Sequence, residues 1–254
     1  MNHWVAFRTI VVKEVRRFTR IWPQTLLPPA VTTSLYFLIF GKLIGDRIGE
    51  IDGASYMEYI VPGVILMSVI SHSYANVVAS FYSTKFQRNI EELLVSPVPN
   101  WVILAGYVSG GIVRGIMVGL VVTLISLFFT DISVKHVDVS IAVFLLTATL
   151  FALAGFINAV FAESFDDIAI IPSFVLTPLS YLGGVFYSIS LLPEFWQSVS
   201  VFNPILYMVN AFRFGMLGTS DINIGTAFLI LTMFILALFS FCLYLLHKGT
   251  GIKT

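Results

Sequence analysis

Charge is what this sequence has least of. Only 11% of its 254 residues are Asp, Glu, Lys or Arg, against about 25% in soluble domains, whose surfaces must face water. So little polar material cannot cover a chain of this size, and a hydrocarbon surround accounts for the deficit. The 14 basic and 14 acidic residues cancel, so the basic footprint of a nucleic-acid partner is missing. A single cysteine, Cys242, excludes an internal disulfide and argues against a thiolate metal cluster. In its apolar run it reads as a packed thiol. A phosphate-cradling loop is also missing: the sole Gly-Lys pair, Gly41-Lys42, is followed by Leu43 rather than Ser or Thr. No run of clustered nucleophile, base or metal-ligand residues marks an intramembrane enzyme. No catalytic residue, metal site or cofactor of the chain's own is expected.

Uninterrupted apolar sequence is what the chain has in quantity. Crossing a ~30 Å hydrocarbon core takes roughly 20 residues, so charge-free intervals mark the spans. The expectation is an all-α membrane protein, one domain over 1–254, with six transmembrane helices at 24–44, 59–83, 105–129, 139–162, 168–187 and 223–246. Pro97 and Pro99 keep the start of the long Leu93–Thr130 stretch out of its span. Asn203-Pro204 supplies an N-cap and a first helical residue. A helix from there to Leu217 reaches only about 21 Å, so 188–218 reads as a pair of short re-entrant or interfacial helices. The first apolar run, Ile21–Gly41, is longer than the roughly 7–15-residue core of a signal peptide.

Six crossings put both termini and the even-numbered loops on one side. Arg8, Lys13, Arg16, Arg17 and Arg20 lie there, with Lys85, Arg88, Lys248 and Lys253; Lys42, Arg47, Lys135 and Arg213 lie opposite. The positive-inside rule makes the richer side cytoplasmic.

Two stretches have helical periodicity outside the spans. Trp4, Phe7, Val11, Val15, Phe18 and Trp22 form one stripe opposite Lys13, Arg16 and Arg20. Such a helix, over 3–22, suits the headgroup boundary; a cytosolic helix packed on a partner has the same pattern. In the second loop, Phe86, Ile90, Leu93 and Leu94 fall at i, i+4, i+7 and i+8, rimmed by Lys85, Arg88, Glu91 and Glu92. That amphipathic segment can rest on the membrane or fill a groove on a partner protein.

Among single residues, Arg114 falls inside the third span, where a cation costs roughly 2.5–3.5 kcal/mol at the bilayer centre. It can line a path, pair with Glu163 or Asp167, or snorkel to the surface. His72, mid-span among Ser71, Ser73, Tyr74 and Asn76, has no metal-ligating neighbour at i±3 or i±4. Interhelical hydrogen bonding and substrate contact remain its two readings. Asp166-Asp167 reads as a solvated loop or partner contact rather than an acid–base pair. Pro172, Pro178 and Gly183-Gly184 mark a bent or unwound fifth span. Arg114, His72, Tyr74 and Tyr181 are the candidate substrate path.

The amphipathic N-terminal helix, the six spans, the stretch Phe86-Gln87-Arg88-Asn89-Ile90-Glu91-Glu92-Leu93-Leu94-Val95-Ser96-Pro97, and the late Asn203-Pro204 before Phe212-Arg213 together resemble the ABC-2 type transporter permeases. The likeness covers essentially the whole chain. It implies the membrane half of a bacterial inner-membrane exporter: a homodimer driven by two copies of a separate ABC ATPase, with ATP and Mg held by that partner. The family's coupling helix matches Lys85–Pro97 and its second cytoplasmic contact matches Glu163–Asp167. The late re-entrant helices match Ser188–Gly218, an outer gate with Asn203, Pro204 and Arg213. A lipid, a lipid-linked glycan or a hydrophobic drug fits the 23 Phe, 10 Tyr and 4 Trp residues alike. The alternative class is an ATP-independent secondary transporter, against which the chain shows no convincing internal repeat.

Overall fold

The computed structural model describes residues 2–251 apart from Asp52, without the side chains of Asp46 and Leu94. Lys253, counted above on the basic side, lies outside the described residues. The chain is 80% helical, and strand among the described residues is one hairpin, β1 (Glu50–Ile51) with β2 (Ala54–Ser55).

The chain opens with α1 (His3–Thr19). Next comes α2 (Trp22–Tyr36), which widens into a π-helical stretch over Phe37–Ile44 and ends in α3 (Gly45–Ile48). After the hairpin, Ser55 and Glu58 close a capping box on α4 (Tyr56–Phe86). At 31 residues, α4 is about 46 Å long. It is followed by α5 (Asn89–Val95), α6 (Asn100–Ser126) and α7 (Val137–Phe161). The chain continues through α8 (Asp167–Ile171), a π turn over Pro172–Leu176 and α9 (Thr177–Leu182). After a 3-10 turn come α10 (Glu194–Ser200), α11 (Pro204–Leu217) and α12 (Ile224–Lys248).

Among the described residues five helical stretches are long and apolar enough to cross a membrane: Trp22–Ile44, Tyr56–Phe86, Asn100–Ser126, Val137–Phe161 and Ile224–Lys248. Asp167–Leu182 is a shorter apolar helix. Its bend follows from Pro172 and Pro178, which lack the N–H that an α-helical ladder needs.

At the centre stands α4, apolar on every face and packed between α6, α7 and α11. Close approach depends on glycine. A Cβ at Gly155 of α7 would sit 2.6 Å from the Tyr74 carbonyl oxygen of α4. One at Gly115 of α6 would strike the Ser73 hydroxyl.

Both described chain ends emerge at one end of the bundle, called proximal here. There the His3 ring meets Trp101 at the start of α6, 6.3 Å between centroids, and Gly251 lies against Val160 at the end of α7. The distal end carries the hairpin, α10 and the C-terminal end of α11, where Lys135 and His136 donate backbone hydrogen bonds to Met216 and Gly215.

The N-terminal helix packs differently from its apolar stripe. Ile10, Glu14 and Phe18 are its buried residues, whereas Trp4 and Trp22 of the expected stripe are exposed. Along its length α1 runs beside α6: His3 is at Trp101, Ile10 at Gly106, Lys13 over the Tyr107 ring and Glu14 at Gly110. It therefore stands alongside α6 rather than lying across the bundle.

Candidate functional site

At the proximal end the fold joins the two segments that the sequence singles out. The last turn of α4 carries Tyr82, Lys85 and Phe86. The Lys85 ammonium donates to the carbonyl oxygens of Val160 (2.7 Å) and Ala162 (2.8 Å), which α7 leaves free at its C-terminus. A cation there also suits the helix dipole. The Tyr82 hydroxyl donates to the Glu163 carbonyl at 2.8 Å. Phe165 closes an aromatic group, its ring centroid 4.9 Å from Tyr82 and 5.2 Å from Phe86.

Asp167 shapes the loop from the other side. Its Oδ2 accepts the backbone N–H groups of Glu163 and Ser164, each at 2.9 Å. These hydrogen bonds to the charged form hold its carboxyl below the usual carboxylate range. Asp166, Glu163, Glu91 and Glu92 stay exposed.

The amphipathic segment between α4 and α5 is not one helix, which corrects its expected single face. Arg88 adopts φ 61°, the left-handed region, and so separates Phe86, in α4, from Ile90, in α5. Phe86 is 63% exposed while Ile90 is 1% exposed. The break leaves a cleft of about 450 Å³ between Arg88, Ile90 and Glu91 on one wall and Val160, Phe161 and Glu163 on the other. On the far side of α5, Asn89, Glu92 and Leu93 face Lys13 and Tyr107 across a second cleft of about 500 Å³. Gln87 is exposed at the break and accepts from the Asn89 side chain at 3.2 Å.

Two of the four candidate path residues come together. His72 and Arg114 line one cavity of about 270 Å³ between α4, α6 and the α8–α9 bend, with Met67, Ser71, Pro172 and Leu176. The other two point elsewhere. Tyr74 is buried, with its backbone against Gly155 of α7. Tyr181 is 41% exposed on α9 and stacks on Phe186. Arg114 also lies deeper than its expected span suggests. It is about 21 Å along α6 from Asn100, and among the described residues it forms no ion pair with Glu163 or Asp167.

The distal residues form a tight cap. Asn203 accepts from the Ile205 N–H (3.0 Å), as an N-cap does, and donates its amide to the Leu179 carbonyl at 2.7 Å. Pro204 is the first residue of α11. Arg213, 2% exposed, donates to the Gly184 carbonyl at 2.7 Å and stacks its guanidinium 3.9 Å over the Tyr59 ring. Among the described residues no three His, Cys, Asp or Glu side chains gather as metal ligands.

The family model for ABC-2 type transporters matches residues 5–217. The chain belongs to the ABC-2 type transporter family. It is 57% identical over 253 residues to the inner membrane transport permease YadH of Escherichia coli K12, covering 99% of this chain and 98% of that protein. More distant relatives include nodulation protein J of Rhizobium leguminosarum bv. viciae, 22% identical over 84% of this chain and 83% of the relative. Nodulation protein J of Sinorhizobium fredii is 26% identical over 73% and 70%. As an ABC-2 family member and permease relative, the protein is a multi-pass membrane transport permease of the bacterial inner membrane, and no enzymatic family is indicated.

Within this ABC-2 chain the sequence did not point to a buried ionic group on α1. Glu14, 0% exposed, accepts from Ser80 Oγ at 2.6 Å and pairs with Arg17 at 3.4 Å. Arg17 also donates to the Asn76 carbonyl and side-chain oxygens at 2.9 and 2.8 Å. The available signal was Gly110: only a residue without a Cβ leaves room for the Glu14 side chain.

Proposed function

We propose that the chain is the transmembrane half of an ATP-driven exporter, which pairs as a homodimer and is moved by two copies of a separate ABC ATPase. The observation that carries this reading is the proximal joint: Lys85 and Tyr82 bind the α7–α8 loop to the turn that leads into α5. A push on α5 therefore reaches α4 and α7 together. Lys85, Phe86, Gln87, Arg88, Asn89, Ile90, Glu91, Glu92 and Leu93 form the main ATPase contact, with Glu163, Asp166 and Asp167 as the second.

The same reading makes Asp167–Leu182 a sixth crossing and puts both termini in the cytoplasm. The cargo is a hydrophobic or amphiphilic molecule (a lipid, a lipid-linked glycan or a drug) moved outward along a path past His72 and Arg114. The α10–α11 cap, with Asn203, Pro204 and Arg213, is the outer gate. The YadH relative, named a transport permease, supports transport; the ATPase and the direction come from the family resemblance and the joint.

The test is co-purification with the ABC ATPase co-expressed from the same source, followed by ATP turnover. Glu91 and Glu92 are exposed, and neither forms an ion pair among the described residues, so Glu91→Lys with Glu92→Lys leaves the bundle intact. Association is expected to weaken about tenfold, the equivalent of roughly 1.4 kcal/mol, with turnover falling in step. Unchanged association and turnover in the folded variant would remove α5 from the coupling route.

A further inference from the structure

Every other buried or half-buried cation in the bundle is engaged. Arg17 has Glu14 and Asn76, Lys85 has two carbonyls, and Arg213 has Gly184 and Tyr59. Arg114 alone breaks the pattern. Among the described residues it forms no hydrogen bond or ion pair, and its Nε is buried without a partner. A guanidinium at mid-membrane depth is kept only where something compensates its charge.

Among the described residues no free carboxylate is placed to supply that compensation, in this chain or in a second copy. Glu58, Asp138, Asp167 and Glu194 lie in the first turns of their helices, and Glu91 and Glu92 in α5 at the proximal end. Glu163, Asp166, Asp131, Asp221 and Glu50 lie in loops or the hairpin. Glu14 is the one described carboxylate within the bundle, and Ser80 and Arg17 already hold it. A symmetric partner presents the same carboxylates at the same depths.

The surroundings of Arg114 suit an anion. In the shared cavity the His72 Nδ1 is buried with no partner, and the Ser71 hydroxyl faces the same space. A neighbouring cleft of about 210 Å³ shares Met67, Ser71 and His72, and continues along Pro28, Pro29 and Tyr36 of α2. A polar head at Arg114 would thus have an apolar slot beside it for a chain.

We propose that the cavity between α4, α6 and the α8–α9 bend binds the anionic head of the transported amphiphile, a phosphate or a carboxylate, with Arg114 as its cation. The guanidinium fork suits either group bidentately, and His72 and Ser71 take further oxygens. Calling this ligand the cargo rests on the permease reading above; the anion site itself does not.

The test is calorimetric titration of the purified full chain in dodecyl maltoside with dodecyl phosphate, laurate, dodecanol, dodecyltrimethylammonium and inorganic phosphate. Saturable binding is expected for dodecyl phosphate or laurate, and the stronger of the two names the head group. Arg114→Gln should weaken it at least about tenfold, roughly 1.4 kcal/mol, and Arg114→Lys should weaken it less. Thr177→Trp fills the cavity from an exposed position on α9 and should block binding with the charge intact, which decides the matter if Arg114→Gln does not fold.

Equal binding of the ammonium compound, or wild-type binding by both Arg114→Gln and Thr177→Trp, would overturn the proposal. So would binding of inorganic phosphate with none of the dodecyl anions. No anion binding by a chain that still associates with its ATPase sinks this site and leaves the exporter reading standing. Anion binding without ATPase association does the reverse.

Discussion

A single carboxylate organises the α7–α8 loop, and its protonation can be followed. Asp167 stands at the first residue of α8, at the end of the loop, and its folded-state pKa is lowered by the N–H groups of Glu163 and Ser164. A group depressed on folding contributes stability that is complete above its unfolded pKa, about 3.9 for aspartate. That contribution fades as pH falls through the lower folded value. Amide-exchange protection at Glu163 and Ser164, corrected for intrinsic rates, should therefore hold down to about pH 4 and collapse below it. Asp167→Asn should show the weaker protection above about pH 4, the two proteins converging below it. Equal protection in the two proteins would separate the loop from this carboxylate. The place of Asp167 in a short polar segment between apolar runs was legible, and its role as a loop cap was not. Glu14 was less legible still, because an acid among basic residues on a helix looks solvated until a glycine on another helix opens a place for it.

Periodicity located the elements but misjudged which of their faces meet the bundle. On α1 the buried residues are Ile10, Glu14 and Phe18, of which only Phe18 belongs to the stripe, with Phe7, Val11 and Val15 half-buried, because packing beside α6 selects the face opposite its glycines. Between α4 and α5 the apolar spacing assumed an unbroken helix, and nothing in the local pattern announces a left-handed arginine. Non-glycine residues hold that conformation at a cost of about 1–2 kcal/mol, so the surrounding packing of Ile90 must enforce it. Arg88→Gly is then expected to keep stability within about 1 kcal/mol, since glycine takes positive φ freely, and to weaken ATPase association only by what the Arg88 side chain itself contributes to the contact. Arg88→Pro fixes φ near −65°, opposite in sign to the 61° observed. It should leave the circular dichroism of the bundle unchanged and weaken ATPase association by about tenfold. If the proline variant couples normally, α5 does not depend on this turn for its position.

For the molecule as a whole, the count of crossings depends on one bent element. Composition made the five long helices legible, because each is a charge-poor run longer than a bilayer is thick. The proposed sixth is harder, since Pro172, Pro178 and Gly183 leave only Asp167–Leu182 as helix, about 24 Å at 1.5 Å per residue. Direction supports it where length does not. Asp167 is tied to Glu163 at the proximal end, whereas the Phe186 carbonyl accepts from Tyr56 at the distal start of α4. Then α12 returns beside α7, with Cys242 on the Leu153 carbonyl and Gly251 against Val160, so it runs the same way as α7. Two helices that descend in the same direction need an ascending segment between them, and only α8–α9 with Gly183–Phe186 is available to climb. Reporter fusions at Ser164 and at Lys248 should therefore report the cytoplasm, and a fusion at Ser190 the opposite side. A Ser190 fusion active in the cytoplasm would make α8–α9 a re-entrant loop and place the two chain ends on opposite faces of the membrane. The joint around Lys85 and the cap around Arg213 could not then serve as the inner and outer ends of one path.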